Sequence, residues 1–292
     1  MKLIAPAKIN WTLEVLGRRE DGYHAVRTVM QAIDVCDRLE FGAGEGVRLE
    51  VEGPYEASGD DLVLRAAQAL DGGAGRGARI GVWKHIPVAA GLGGGSSDAA
   101  ASLRGLDELW GLGHDEADLM ELASQIGSDV PFFLHGGTAL VEGRGERVTP
   151  LPDARPRWLV VLAPAIQIAD KTKRMYAALR PEHFSDGSRT AALVERVRNG
   201  EGVREEDLFN AFERAAFEVF EGLEAYREAL LAAGARRVHL AGAGPALFAL
   251  TPDEASARAM LSRLRAPGGE APYGQAFAAR TLTAAESLRR ES

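Results

Sequence analysis

Apolar residues near the start of the chain fall at Leu3, Ile4, Ile9, Trp11, Leu13 and Val15, a spacing that predicts short extended segments. Residues 26–39 predict one or two longer strands with a bend. Val47, Leu49 and Val51 alternate with Arg48 and Glu50, as expected of a half-buried strand. The period then changes. Leu62, Ala66, Ala69 and Leu70 lay an apolar stripe along a helix over 61–70. Ile80 and Val82 return to strand spacing. Further helices are predicted over 98–109 and 115–126, and a strand over 138–141.

The second half opens on Trp158-Leu159-Val160-Val161-Leu162, an unbroken apolar run that predicts a buried strand. Helices are predicted over 172–179, much of 205–220, 224–232 and 254–264. Residues 238–240 and 247–250 predict two antiparallel strands about a tight glycine turn. Strands and helices do not alternate regularly, so the fold class is α+β rather than repeated βαβ. The proline-bearing segment 151–156 is the expected boundary between domains at 1–153 and 154–292.

Composition narrows the function classes. The chain has 292 residues, enough for one large or two modest domains. Its 42 acidic and 34 basic residues give a net charge of -8, which argues against broad nucleic-acid or anionic-membrane binding but permits a local positive pocket for phosphate. The lone Cys36 builds no disulfide framework and fits a reducing cytoplasm. Lys8 and Asn10 interrupt the first apolar run, so no export signal is read there. Residues 158–169 are too short to span a bilayer. The expectation is a cytoplasmic protein, monomer or weak homodimer, with no nucleic-acid or membrane partner.

The sharpest chemical feature is Pro87-Val88-Ala89-Ala90-Gly91-Leu92-Gly93-Gly94-Gly95-Ser96-Ser97-Asp98. Glycines allow a tight turn and close approach to an anion. The free N–H groups of the following helix terminus suit phosphate oxygens. Substituting valine at Gly93 is expected to obstruct that approach. The lysine of a P-loop is missing, and the last glycine of a dinucleotide fingerprint is too, so phosphate binding by another fold is implied. The plain alternative is a surface turn with a serine cap.

Other residues carry two readings each. Asp129, in Gly127-Ser128-Asp129-Val130-Pro131, is either a helix cap or a base in a pocket. Lys8 is either a snorkelling edge residue or the cation that keeps Asp129 ionised. Tyr23-His24 follows Asp21-Gly22 and either starts a strand or meets a flat ligand, and Tyr176 shares that ambiguity. No histidine, cysteine or serine pattern marks a zinc site or a hydrolase elbow.

Taken together, these motifs resemble the GHMP kinase superfamily, and Asp-Gly-Tyr-His with Ser-Asp-Val-Pro-Phe-Phe resembles its diphosphocytidyl-substrate branch. The likeness covers nearly the whole chain, including Pro6-Ala7-Lys8-Ile9-Asn10, Gly143-Arg144-Gly145-Glu146, Leu208-Phe209-Asn210 and Gly242-Ala243-Gly244-Pro245. It implies a two-domain α+β fold with the active site in the inter-domain cleft. It also implies transfer of a phosphoryl group from ATP, with Mg2+, to the 2-hydroxyl of a diphosphocytidyl methylerythritol. By the same resemblance Asp129 is the general base and Lys8 its partner. Pro87 and Ala89 to Ser97 (Ala90, Gly91, Leu92, Gly93, Gly94, Gly95 and Ser96 between) wrap ATP. Asn10 orients the polyol, Thr172 lies on the cytosine side, Tyr23 and Tyr176 sandwich cytosine, and His24 reads its edge. Metal ligands stay unassigned.

The chain departs from the family pattern at Ala241 and Ala243, where serines are usual, and at Asp60-Asp61-Leu62, where asparagine usually precedes leucine. Three readings compete: a kinase for mevalonate, homoserine or a sugar; a nucleotide-binding protein without catalysis; and a phosphate-binding structural module.

Overall fold

The computed structural model describes residues 1–53, 61–166, 168–265 and 274–291. The first sheet is built on two long antiparallel strands, β1 (Lys2–Arg18) and β2 (His24–Gly42). Sequence spacing predicts short pieces for β1, yet it is one strand of 17 residues. Register slips between Pro6 and Ala7, Asn10 and Thr12, and Val15 and Gly17 let it bend without breaking. Such irregularities re-aim side chains locally, and two of them flank Lys8 and Asn10.

β3 (Val47–Glu52) and β4 (Ala78–Trp83) pair in parallel around α1 (Leu62–Asp71). Asp61 caps α1 by accepting from Val63 N–H, while Asp60 lies outside the described residues. Next come α2 (Gly94–Trp110), α3 (Glu116–Ile126) and α4 (Val130–His135), then β5 (Thr138–Gly143) and β6 (Arg147–Pro150). α2 begins four residues before the expected Asp98, inside the glycine cluster, which puts the cluster on the helix N-terminus.

The second sheet has the order β11 (Gln275–Arg280), β7 (Trp158–Ala163), β10 (Leu247–Thr251), β9 (His239–Leu240). The second half of the chain runs through β7 (Trp158–Ala163), α5 (Lys171–Ala177) and α6 (Ser188–Arg198), then β8 (Phe209–Asn210), α7 (Glu213–Val219) and α8 (Leu223–Ala232). β9 (His239–Leu240), β10 (Leu247–Thr251), α9 (Glu254–Leu264), β11 (Gln275–Arg280) and α10 (Ala284–Ser287) complete it. Of the helix expected over much of 205–220, only Glu213–Val219 forms, as α7. A single 3-10 turn at Glu205–Asp207 precedes β8, which leaves this half and pairs in parallel with β1. Asn210 is the reason: its amide donates to Leu240 O and Gly242 O, and its side-chain oxygen accepts from Phe212 N–H.

The chain end also returns to the first sheet, through bridges of Thr281 to Ile33 and Arg290 to Leu3. One buried apolar cluster joins the sheets directly, with Trp11 edge-on to Phe248 at 6.4 Å. That shared core fixes how the two halves face each other, because close-packed interiors resist sliding. No helix among the described residues is long and apolar enough to cross a membrane.

Candidate active site

On β1 the residues Ala7, Ile9 and Trp11 enter the apolar core, while Lys8, Asn10, Thr12 and Glu14 form the alternate row. That row is buried as well, so each polar group needs a partner. Asn10 donates to Thr28 Oγ1 at 2.8 Å, and Thr190 reaches Thr12 and Glu14. Lys8 Nζ donates to Asn10 Oδ1 at 3.0 Å and pairs with Asp129 Oδ2 at 3.7 Å. Sequence position alone left that meeting open.

Asp129 occupies the cap position of α4 but caps nothing. Pro131 stands in the first turn of the helix, where it withholds an N–H that a cap would accept. The carboxylate, one-third exposed, is left for Lys8 and the cavity. The snorkelling reading of Lys8 falls too, because its side chain is only 5% exposed.

Both groups line a cavity of about 870 Å3 shared by the two halves. Its wall includes Pro87 to Ser96, Asn10, Thr172 and Tyr176. Leu49, Val51, Leu62 and Val82 make an apolar stretch, and Gly242 and Ala243 enter from the second glycine turn. Gly93, at φ 78, is the N-cap of α2 without a side-chain cap bond. Ser97 N–H donates to Gly93 O and opens the helix ladder, which leaves the preceding amides of the first turn open to an anion.

Three sequence-based assignments sit differently from expectation. Ser97 is not in the cavity wall. It is buried, and its hydroxyl has no hydrogen-bond partner among the described residues. Tyr23 is 55% exposed, outside the cavity wall, with the Arg144 guanidinium carbon 5.6 Å from its ring centre. The Tyr23–Tyr176 bracket is therefore not assembled. His24 instead lies stacked on Tyr176 at 4.8 Å, with Phe212 edge-on to Tyr176 at 4.9 Å. Among the described residues the hydrogen bonds of this turn stay within it, through Tyr23 N–H to Asp21 and Arg19 N–H to Tyr23 O, and Arg144 holds the Tyr23 ring on the outside. Burial and Arg18 hold His24 below the usual imidazole range, so its ring is neutral near pH 7. Burial and Asp129 push the Tyr176 phenol up to about 12, so it stays protonated.

Sequence reasoning missed two groups in the same wall. Lys84 Nζ bridges Asp98 Oδ2, at 2.6 Å, and Asp37. Asp37 also accepts from His85 and Ile86 N–H, which ties the strand end before the loop to the helix after it. Burial and Asp37 push Asp98 up to about 8 against the pull of Lys84. The second missed group is Lys171, at the start of α5. One signal was present: the chain has only five lysines, and Lys8, Lys84, Lys171 and Lys173 all line this cavity.

The profile of the GHMP kinases N terminal domain matches residues 61–137, and that of the GHMP kinases C terminal matches 191–270. A 4-diphosphocytidyl-2-C-methyl-D-erythritol kinase of Dehalococcoides mccartyi is 44% identical, over 93% of this chain and 96% of its own. One of Pelotomaculum thermopropionicum is 45% identical, over 90% and 93%. A crystal structure of 4-(cytidine 5'-diphospho)-2C-methyl-D-erythritol kinase superposes with a TM-score of 0.79 at 37% identity, covering 96% of this chain and 99% of that one. A homoserine kinase from Cytophaga hutchinsonii, at 20% identity and a TM-score of 0.66 over 90% and 88%, shares the fold. With identity of this size along almost its entire length, the chain belongs to the 4-diphosphocytidyl-2-C-methyl-D-erythritol kinase family of the GHMP kinases.

Proposed function

We propose that the protein transfers the γ-phosphoryl group of ATP to the 2-hydroxyl of 4-diphosphocytidyl-2-C-methyl-D-erythritol, giving ADP and the 2-phosphate in non-mevalonate isoprenoid synthesis. One observation carries the chemistry: an uncapped Asp129 carboxylate, paired with buried Lys8, faces the cavity walled by the glycine-rich turn. Asp129 accepts the proton of the acceptor hydroxyl as attack on phosphorus develops. Lys8, 3.7 Å from that carboxylate, stabilises the oxygen charge that grows in the transition state. The amides from Gly91 to Ser96 align the triphosphate, which is most of what phosphoryl transfer needs from a protein. Asn10, bonded to both Lys8 and Thr28, orients the polyol.

Magnesium fits this site as a companion of ATP. The described residues hold no cluster of three or more His, Cys, Asp or Glu side chains that would cage a cation. Asp98 Oδ1, at the start of α2, lies in the cavity wall without a hydrogen-bond partner among the described residues and would hold it, whereas Ser97 stays buried outside that wall. When bound, it neutralises charge on the β- and γ-phosphates.

The test is a coupled ADP-release assay with identification of the product, run beside mevalonate and homoserine as acceptors. Phosphorylation of the diphosphocytidyl acceptor alone is the expected result, and ADP release without a 2-phosphate product rejects the reading. Recognition of cytosine yields a separate prediction. Tyr176 lines the cavity and Tyr23 does not, so Tyr176→Ala is expected to raise the acceptor KM about tenfold or more, by loss of stacking, with little change in the ATP KM. Tyr23→Ala does less. Steady-state kinetics with each substrate varied separately decide this, and equal losses for both substrates in Tyr176→Ala count against cytosine stacking there.

A further inference from the structure

Lys171 comes from α5, yet its ammonium serves two distant turns. It donates to Ala89 O at 2.8 Å in the glycine-rich loop and to Gly244 O at 2.6 Å in the second glycine turn. The two turns also meet directly, since Ala246 N–H donates to Ala90 O at 2.9 Å. Among the described residues, Ala89 at φ 56 and Asp170 at φ 51 are the non-glycine residues with positive φ. One supplies an acceptor for Lys171 and the other immediately precedes it. Left-handed backbone is strained for a side-chain-bearing residue and persists only where its surroundings hold it.

These bonds also aim the loop. Across a planar trans peptide the carbonyl and the next N–H point in opposite directions. Lys171 draws the Ala89 carbonyl and Ala246 N–H draws the Ala90 carbonyl, so the directions of the Ala90 and Gly91 N–H groups are set. An ammonium has three donors, and Lys171 spends two on the turns.

Resting on the kinase reading above, we propose that Lys171 is a positioning residue for phosphoryl transfer, a charged latch that holds the phosphate loop against the Gly242–Gly244 turn so that the loop amides meet ATP in register. The charged groups facing it are Lys8 from β1 and Asp129 at the start of α4, with Asp170, Lys173 and Arg174 on its own element. Burial, then Lys8, push the ammonium down to about 8 against the pull of Asp129. The latch is charged at neutral pH and is lost as pH rises through about 8. A lysine held below its ordinary 10.5 favours the unfolded chain at neutral pH, and this penalty fades between pH 8 and 10.5. Lys171→Met removes it and is expected to fold.

The experiment is the pH profile of kcat/KM for ATP, which reports groups of the free enzyme. It is run on the wild-type protein, Lys171→Met and Lys171→Arg, with thermal melting to establish folding. The wild type is expected to lose activity above about pH 8. Lys171→Met should fall about tenfold at neutral pH, as expected of a loop set slightly out of register, and lose the alkaline limb. Lys171→Arg should recover most of the neutral rate and hold it into alkaline pH, because a guanidinium keeps its proton. A folded Lys171→Met with an unchanged alkaline limb, or within twofold of wild type at neutral pH, overturns the latch. If Lys171→Met does not fold, an unshifted limb in Lys171→Arg overturns it and a shifted one supports it. Calorimetric ATP binding over the same pH range needs no acceptor. A limb in ATP affinity that depends on Lys171 upholds the latch even if the diphosphocytidyl acceptor is not phosphorylated. Normal phosphorylation without such a limb rejects the latch and leaves the reaction intact.

Discussion

Asp129→Asn is expected to lower turnover about a thousandfold, within the range for removing a general base. The amide keeps the size of the carboxylate, and no cap bond is lost because Asp129 makes none. Lys8 loses its 3.7 Å ion pair but keeps Asn10 Oδ1 at 3.0 Å, so the buried ammonium is still partnered. Removing one member of a buried pair costs stability, but Asp129 is one-third exposed, which softens the loss. The expected signature is therefore a fall in kcat with a near-normal melting temperature and a little-changed ATP KM. Near-normal turnover by folded Asp129→Asn removes the carboxylate from the chemistry.

Gly91→Val is the second large effect. At φ 90, a Cβ on Gly91 would stand 2.4 Å from Ala241 O and 2.9 Å from Gly244 N, both backbone atoms of the other turn. Neither can swing aside as a side chain does, so the turns must part. A displacement of the phosphate loop on the order of 1 Å is expected to cost about a hundredfold in kcat/KM for ATP. Gly22→Ala is the control. It carries a similar φ of 84, but its Cβ has nothing within 4 Å, so it isolates backbone strain from separation of the turns. ATP use by Gly91→Val within a few-fold of wild type would show that the two turns need not touch. Gly93, the position singled out by sequence, is a poorer probe. Its Cβ would meet the Phe133 ring at 2.7 Å and Lys8 Cγ at 3.1 Å. Gly93→Val thus disturbs the packing behind the loop as well as the approach to phosphate.

Much of the framework was written in local periodicity. The stripe over 254–264 coincides with α9, the run from Trp158 with β7, and the alternation at Val47, Leu49 and Val51 with β3. The glycine cluster announced a tight turn ahead of a helix, and Gly93 does stand at the N-terminus of α2, because glycine permits the left-handed backbone needed there. These features depend on each segment's own propensity and apolar face. The helix expected over much of 205–220 forms only at Glu213–Val219, and its first part gives way for the opposite reason. Asn210 is held by carbonyls of Leu240 and Gly242 some thirty residues away, and those bonds outweigh helical spacing. β6, β11, α6 and α10 were missed as well, and β11 and α10 owe their places to partners far along the chain.

The site divides in the same way. Lys8, Asp129 and the loop were nominated by residue type and spacing, but only the fold brought Lys8 and Asp129 into one cavity and freed Asp129 from capping. Only the fold stacked His24 on Tyr176, left Tyr23 outside, and set Lys84 and Lys171 in the wall. A sequence records which residues are polar and which side of a segment they occupy. Where a buried polar group finds its partner depends on how separate elements pack, and that is decided by the shared core between the two sheets rather than by any single stretch of chain.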